Sequence, residues 1–149
     1  MTPLTKQNQI PWWDTFRFAL IVDDSHWSRM MIQQTIGSFG LHTSLAVDGS
    51  DAFKQIELRP PSVVITDIEM PYCSGIGLLD RVRMSARPDI RDIPFVVVSS
   101  LMDTATAARV HRHHNAYLLA KPLSLRLLYL TLQLEATSLT VQMQNRYWN

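Results

Sequence analysis

The sequence predicts an α/β fold in which helices cover both faces of a parallel sheet. Short, almost wholly apolar segments alternate with longer segments of helical periodicity along most of the chain. Apolar runs of this kind are typical of strands buried on both faces, and their alternation with helices indicates parallel pairing. The 149 residues suffice for one domain with short extensions, and 46% hydrophobic residues can form a substantial core.

Five segments are predicted to be strands, of which the second has the weakest pattern. Pro71 closely follows the third and prevents that segment from continuing in a ladder. The predicted strands are Phe18–Val22, Leu41–Val47, Val63–Ile65, Phe95–Val98 and Tyr117–Ala120.

Helices are predicted between these strands and after the last one. Gly40 is a typical helix stop, and the pair Pro60-Pro61 closes the second helix. The helical segments are Trp27–Phe39, a segment around Ala52–Ile56, Gly77–Met84, Thr104–His113 and a long helix from Ser124. The residues expected to face the core are Ile32, Ile36, Ala52, Phe53, Ile56, Leu78, Leu79 and Val82. We expect a turn at Asp48-Gly49 and a polar loop over Arg87–Pro94.

Polar residues stand where four of the five strands end. Asp23 and Asp24 follow the first strand, and Asp67 is predicted to emerge just past the third. Ser99 ends the fourth strand, and Lys121 follows the fifth. Because ligands of such sheets bind beyond the carboxyl ends of the strands, we expect these side chains to form one site.

The residue types at this edge point to phosphoryl chemistry. Three carboxylates repel one another unless a cation lies among them. Mg²⁺ prefers oxygen ligands and is usually held by one or two carboxylates together with a phosphate oxygen. Lys121 offers a compact positive charge and Ser99 a hydroxyl donor for the phosphoryl oxygens. Asp67 is then the nucleophile of a magnesium-dependent aspartyl-phosphate site.

With these residues in this order, the chain resembles the receiver domain of two-component response regulators over roughly Phe18 to Glu135. The matching elements are Asp23-Asp24, Asp67 within Thr66-Asp67-Ile68-Glu69-Met70-Pro71, Gly75, Ser99 and Lys121-Pro122. The resemblance implies a flavodoxin-like (βα)5 three-layer sandwich with a five-stranded parallel sheet in the order 2-1-3-4-5. Residues 1–17 would be an extension, 18–135 the receiver domain, and 136–149 a tail or helix extension.

The resemblance also implies a reaction and its partners. A histidine kinase or phosphotransfer protein presents phosphohistidine, and Asp67 takes the phosphoryl group. Asp24 and Asp67 bind Mg²⁺ directly, Asp23 binds it through water, and the backbone carbonyl of Glu69 completes the protein ligands. The chain promotes its own phosphorylation and dephosphorylation, without being an enzyme in the ordinary sense.

The signal would leave through the helix over Thr104–His113, the fifth strand and the last helix, toward a downstream protein that the sequence does not identify.

The family usually places an aromatic residue three positions before the lysine, where this chain has Leu118. Tyr117 is one residue early, and neighbouring strand residues face opposite ways unless a bulge intervenes. We therefore expect the aromatic switch to be absent. The resemblance further implies a cis bond at Lys121-Pro122.

Three other interpretations remain open at this point. A degenerate receiver would act as a phosphorylation-independent interaction module, but the site residues are intact. A haloacid dehalogenase type of enzyme requires Asp-x-Asp, whereas Asp67-Ile68-Glu69 ends in glutamate. A flavodoxin needs no acidic cluster.

The Glu69 side chain has two interpretations. It either borders the path of the attacking water and tunes the lifetime of the phosphorylated state, or is a solvated loop carboxylate.

Composition excludes other classes of function. A formal net charge of +1 gives no basic platform, so we expect no nucleic-acid partner. No apolar run approaches the roughly 20 residues of a membrane span, and the amino terminus lacks a signal-peptide core. We expect a cytoplasmic protein that does not bind membranes. Cys73 is the single cysteine, so no internal disulfide forms.

Two features have two interpretations each. His111, His113 and His114 diverge around a helix, which disfavours a metal site. They are either cations at a helix carboxyl end or a partner-binding patch. Trp27 either borders the site or a docking surface, or is a partly buried helix aromatic.

The last helix carries two leucine-rich rows. Leu127, Leu134, Val141 and Trp148 recur every seven residues, and Leu125, Leu132 and Leu139 form a neighbouring row. One row can cover the sheet while the other stays exposed. This predicts either a weak homodimer through the helix or a monomer with its tail folded back.

Overall fold

The computed structural model describes the backbone of residues 16–148 and the side chains of residues 16–139. Five parallel strands form one sheet in the order β2-β1-β3-β4-β5. This is the predicted flavodoxin-like order. The strands are β1 Phe18–Val22, β2 His42–Ala46, β3 Val63–Asp67, β4 Phe95–Ser99 and β5 Ala116–Ala120.

Helices connect the strands and cover both faces of the sheet. Their bounds are α1 His26–Ser38, α2 Gly49–Leu58, α3 Gly75–Arg83, α4 Pro88–Arg91, α5 Thr104–His111 and α6 Leu125–Trp148. The residues of the proposed extension before Phe16, including Trp12 and Trp13, lie outside the described part of the chain. None of the helices in the described range is long and apolar enough to cross a membrane.

Side-chain caps begin five of these helices. In each case a serine or aspartate oxygen accepts a hydrogen bond from the backbone N–H three residues later, which satisfies one free donor of the first turn. The caps are Ser25 for α1, Asp48 for α2, Ser74 for α3, Asp103 for α5 and Ser124 for α6. The prediction of a separate turn at Asp48-Gly49 is therefore wrong, because Asp48 caps the helix that Gly49 begins.

Two further predictions are corrected by the structure. Asp67 is the last residue of β3, not a residue beyond it, because it pairs with Val98 and continues the ladder. The expected polar loop over Arg87–Pro94 contains the one-turn helix α4. Proline at the first position of α4 has a backbone angle suited to a helix start, and Ile90 of this turn is buried in the core.

The core consists of two apolar clusters, one on each face of the sheet. Helices α2, α3, α4 and α5 pack on one face, and α1 and α6 on the other. Buried as predicted are Ile36, Ala52, Ile56, Leu78, Leu79 and Val82, while Ile32 and Phe53 are partly buried and pack at the cluster margins. Phe16, just before β1, joins the α1 and α6 cluster.

Strand β5 is regular, and this decides where its aromatic residue points. Its register with β4 runs unbroken from Phe95 opposite Ala116 to Ser99 opposite Ala120. Leu118 packs against the cluster beneath α5, whereas the Tyr117 hydroxyl donates a hydrogen bond to Glu135 Oε2 on α6. Tyr117 therefore does not occupy the position of the family's switch residue, as predicted.

The Tyr117 to Glu135 hydrogen bond is expected to stabilise the fold. Glu135 is only 2% exposed, and its other oxygen, Oε1, has no hydrogen-bond partner among the described residues. Leaving a buried acceptor without its donor costs about 1–3 kcal/mol, so Tyr117→Phe should lower the free energy of unfolding by about that amount. Urea denaturation followed by circular dichroism measures the change. Tyr72→Phe is the matched control, because Tyr72 is 99% exposed and should leave stability unchanged.

The difference in stability between Tyr117→Phe and the parent chain depends on pH, and the pKa of Tyr117 determines the direction. Burial, and then the hydrogen bond and charge of Glu135, raise the pKa of Tyr117 above its ordinary value of 10.0. The pKa of Tyr117 is raised in the folded state. Its contribution to the free energy of unfolding is therefore complete at pH values below the pKa of the unfolded state, and it declines only as pH rises through the pKa of the folded state. Equal stability of Tyr117→Phe and the parent chain between pH 7 and about 10 would contradict this assignment.

Candidate functional site

The candidate site lies at the carboxyl edge of the sheet, where register places the predicted residues side by side. Val22 of β1 pairs with Thr66 of β3, so Asp23 follows at the level of Asp67. Asp67 in turn pairs with Val98, and Ser99 is the next residue of β4. Strand pairing alone therefore brings β1, β3 and β4 to a common end.

Lys121 forms an ion pair with Asp67. Its Nζ lies 3.0 Å from Asp67 Oδ1. Asp67 is 5% exposed, whereas the lysine remains partly accessible. The backbone N–H of Lys121 donates to the Ser99 carbonyl at 2.9 Å, which fixes the start of the loop after β5 to the end of β4. The Lys121-Pro122 peptide bond is cis, as predicted.

Three carboxyl groups form the acidic side of the site. Oxygen atoms of Asp23, Asp24 and Asp67 all lie within 4.8 Å of one another. Asp23 is buried and Asp24 is exposed. Burial raises the pKa of Asp23, and the nearby charges of Asp67 and Asp24 act in the same direction, while the Ser25 N–H and Lys121 oppose them. Negative charge is thus concentrated at a partly dehydrated position.

Residues of the first helix turn hold the acidic pair in place. The Ser25 N–H donates to Asp23 Oδ1 at 2.9 Å, and the Arg29 guanidinium donates to the Asp23 carbonyl at 2.6 Å. Sequence reasoning missed both roles. A serine before an apolar helical pattern was the available signal for Ser25 as a cap, but no local pattern indicates the contact of Arg29.

Ser99 is buried at the end of β4, beside β3. Its hydroxyl oxygen accepts a hydrogen bond from the Leu101 N–H at 2.9 Å, which orients the Ser99 side chain and folds the chain after β4 back over it. Since a hydroxyl also carries one donor hydrogen, Ser99 can accept from Leu101 and donate to an oxygen bound at Asp67.

Glu69 is an exposed loop carboxylate with one hydrogen bond to the neighbouring loop. The Ser100 hydroxyl donates to Glu69 Oε1 at 3.3 Å, which links the loops after β3 and β4 beside the site. The Glu69 N–H lies 3.4 Å from Asp67 Oδ1. The proposed role of the Glu69 carbonyl as a metal ligand stays a prediction.

The remaining sequence features lie outside this constellation. His113 Nε2 lies 2.6 Å from Asp80 Oδ1, and His114 Nε2 lies 3.1 Å from Asp92 Oδ1, so the two rings turn to different carboxylates. The only group of potential metal ligands among the described residues is the Asp23, Asp24 and Asp67 cluster. Trp27 is 70% exposed on α1, which makes the interpretation as a partly buried aromatic wrong.

Comparison with known proteins decides the family. The family model of the response regulator receiver domain matches residues 19–133. The chain belongs to this family. The match covers most of the chain and includes every residue of the site described above.

Individual relatives of this receiver domain differ in total length. A probable chemotaxis protein CheY from Rhizobium etli is 31% identical over 108 residues, which are 72% of this chain and 82% of the relative. A protein-glutamate methylesterase/protein-glutamine glutaminase from Anaeromyxobacter dehalogenans is 36% identical over 92 residues, which are 62% of this chain but only 25% of the relative. This chain therefore spans about a quarter of that protein.

A solved structure has the same fold. The chemotaxis protein CheY4 of Vibrio cholerae superposes with a TM-score of 0.71 at 26% identity, covering 78% of this chain and 96% of that one.

The receiver site fits a divalent cation chemically. Asp23, Asp24 and Asp67 supply hard oxygen donors that converge from two strands, and Lys121 contributes a positive charge beside Asp67. Mg²⁺ takes this class of ligand.

Gly75 allows the loop after Asp67 to close tightly on itself. A Cβ built at Gly75 would lie 2.1 Å from the Asp67 carbonyl oxygen, which is backbone and cannot move aside cheaply. We expect Gly75→Ala to displace Asp67 and to destabilise the fold by about 1–3 kcal/mol, as overpacking does. Urea denaturation and acetyl phosphate labelling measure the two effects.

Gly37→Ala is the matched control for Gly75→Ala. Nothing lies within 4 Å of a Cβ at Gly37, which sits inside α1. Alanine there should stabilise the protein by about 0.5–1 kcal/mol and leave labelling intact. Unchanged stability and labelling in Gly75→Ala would show that the loop yields to a methyl group.

Proposed function

We propose that this receiver domain accepts a phosphoryl group on Asp67 from the phosphohistidine of a histidine kinase or phosphotransfer protein. The observation that carries the proposal is the position of Asp67, which is paired with Lys121 at 3.0 Å on one side and grouped with two other carboxyl groups on the other. The family and the CheY relative support it.

In the proposed reaction, an Asp67 carboxylate oxygen attacks phosphorus in line with the bond to the histidine nitrogen. The O–P bond forms as the P–N bond breaks, and the imidazole leaves with the electron pair and takes up a proton. Catalysis of such transfers consists mainly of positioning and charge stabilisation. Lys121 balances charge on the phosphoryl oxygens, and the Ser99 hydroxyl donates to one of them.

We further propose that the site holds Mg²⁺ through Asp24 and Asp67, with Asp23 acting through water and the Glu69 carbonyl as a further ligand. When bound, Mg²⁺ neutralises charge on the phosphoryl oxygens and on the carboxylates around it. Arg29 and Ser25 keep the acidic pair oriented toward this position through their contacts with Asp23.

The phosphorylated state is proposed to signal through the face formed by α5, β5 and α6 to a downstream protein. Phosphorylation adds about −1.5 to −2 of charge, which draws the Ser99 hydroxyl toward Asp67 and moves the loop that Ser99 shares with Leu101. Since Leu118 stands where the family has an aromatic residue, a ring rotation is not part of this coupling. The cytoplasmic location stays a prediction.

Labelling with a small phosphodonor tests the acceptor. Acetyl phosphate with Mg²⁺ should add one phosphoryl group, seen by intact mass, and Asp67→Asn should abolish it, because the amide is not a nucleophile. Asp89→Asn is the control, since Asp89 is exposed and pairs with Arg87 on the surface. Labelling that persists in Asp67→Asn refutes the acceptor. A parent chain that takes no label from acetyl phosphate or from phosphohistidine donors supports the degenerate receiver instead.

Calorimetric titration tests the cation site. Asp24→Ala should weaken Mg²⁺ binding by about tenfold or more, roughly 1.4 kcal/mol, because a direct ligand is removed. Asp23→Ala should weaken it less, and Asp89→Ala should leave it unchanged. Equal affinities in all variants would remove these carboxylates from the cation site.

A further inference from the structure

A groove lies at the edge of the sheet opposite to the carboxylate site. It is found where α3 and α5 end and where β4 and β5 begin. The length of β5, which is 5 residues or about 17 Å, separates it from Lys121. The volume of the groove is about 540 Å³, within the range of about 300–1,000 Å³ that is typical of small-molecule sites. The lining side chains are Asp80, Arg83, Met84, Arg112, His113 and His114.

Arg83 forms a fixed wall of this groove. Its Nη1 donates to the carbonyls of Arg91 and Ile93, at 2.8 and 2.7 Å. Its Nη2 donates to the carbonyls of His114 and Asn115, at 2.8 and 3.3 Å. Burial lowers the pKa of Arg83 to about 10, so the guanidinium remains charged at neutral pH. The backbone beside the groove is therefore held in place by a group that also contributes a positive charge.

Arg112 is the cation of the groove whose donors are available. Its Nη2 lies 3.6 Å from Asp80 Oδ1, which is too far for a hydrogen bond. The guanidinium makes no hydrogen bond within the described part of the chain, and the side chain is 66% exposed. His113 Nε2 already lies 2.6 Å from the same Asp80 oxygen. A guanidinium with available N–H groups can hold two oxygens of one phosphate at once.

Met84 supplies an apolar wall beside this cation. It follows the last residue of α3 and is 84% exposed. It belongs to neither apolar cluster of the core, so its surface is available to a ligand. A methionine side chain also adapts its shape to what it contacts. An apolar wall next to a cation suits a ligand that has both an apolar ring and an anionic group.

The charge balance of the groove favours an anion. Arg83 and Arg112 contribute two positive charges and Asp80 one negative charge, which leaves a net charge of +1 before the histidines are counted. Both histidines face carboxylates, and protonation of either ring would add to the positive charge. A phosphate group carries about −1.5 to −2 of charge at neutral pH, so it gains more from this field than a carboxylate does.

We propose that this groove binds a small organic phosphate, with the phosphate on the Arg112 guanidinium and the apolar part against Met84. The volume of the groove exceeds that of a bare phosphate ion and has room for both parts of such a ligand. The groove and Asp67 lie at opposite edges of the sheet, so this proposal does not rest on phosphorylation of Asp67.

Calorimetric titration of the full chain with ADP tests the groove, because ADP carries both a ring and phosphate groups. The titration is made at low salt with EDTA, so that no Mg²⁺ can link the probe to the carboxylate site. One ADP should bind per chain, and adenosine, which lacks the phosphates, should bind at least about tenfold more weakly. Binding of ADP that does not saturate by about 10 mM would overturn the proposal.

Two arginine variants of the same helix region test the contact with the phosphate. Arg112→Gln should weaken ADP binding about tenfold or more, because it removes the charged donors. Arg109→Gln is the matched control, since Arg109 is exposed on α5 and does not line the groove. Its affinity should stay within about twofold of the parent chain. An Arg112→Gln variant that binds as well as the parent chain, or an equal loss in both variants, would refute the site.

Asp80→Asn separates a binding groove from a purely structural cluster. Removing this carboxylate should tighten ADP binding about threefold or more, as expected for a like charge about 6 Å from the phosphate even in water. If Asp80 only holds α3 to the end of α5, the affinity would instead stay the same or fall, and either result contradicts the proposal. Asp89→Asn is the control, because Asp89 pairs with Arg87 outside the groove. Circular dichroism confirms that all variants fold.

Discussion

The contact between Lys121 and Asp67 is the interaction on which the site depends. It joins Asp67, at the end of β3, to Lys121, which directly follows β5, across the intervening strand β4. Its 3.0 Å distance requires that register be correct along two strand pairs, because a slip of one residue would turn each side chain to the opposite face. The contact between Lys121 and Asp67 therefore depends on the sheet having this register.

The same edge concentrates unfavourable charge. Asp23 and Asp67 are both buried while lying beside each other and beside Asp24. The surroundings offset part of the cost, since Asp23 accepts from a backbone N–H and Asp67 contacts an ammonium group. The negative charge that remains uncompensated suits the site to a divalent cation.

Strand β5 makes an apolar contact on one face and a polar contact on the other. Leu118 packs with the cluster beneath α5, and Tyr117 on the opposite face reaches Glu135 of α6. In this receiver the polar link from β5 therefore leads to the last helix.

The sequence by itself determined much about this protein. Apolar runs predicted four of the five strands, because buried parallel strands need no polar face, whereas the edge strand β2 had a weaker pattern. The residues at the strand ends predicted Asp23, Asp24, Asp67, Ser99 and Lys121 as neighbours. Helix faces such as Leu78, Leu79 and Val82 followed from periodicity alone. These features depend on short-range pattern and on the one rule that parallel strands share an edge.

Only the tertiary structure decided the rest. The contact of Arg29 with Asp23, the hydrogen bond of Ser100 to Glu69 and the pairing of Tyr117 with Glu135 join residues whose own local sequence contains no sign of the partner. Trp27 has a large, mostly apolar side chain that is suited to burial, but it lies exposed. Helix α4 forms in a segment whose polar residues had indicated a loop. The three hydrogen bonds join separate parts of the chain, so they exist only when the chain is folded.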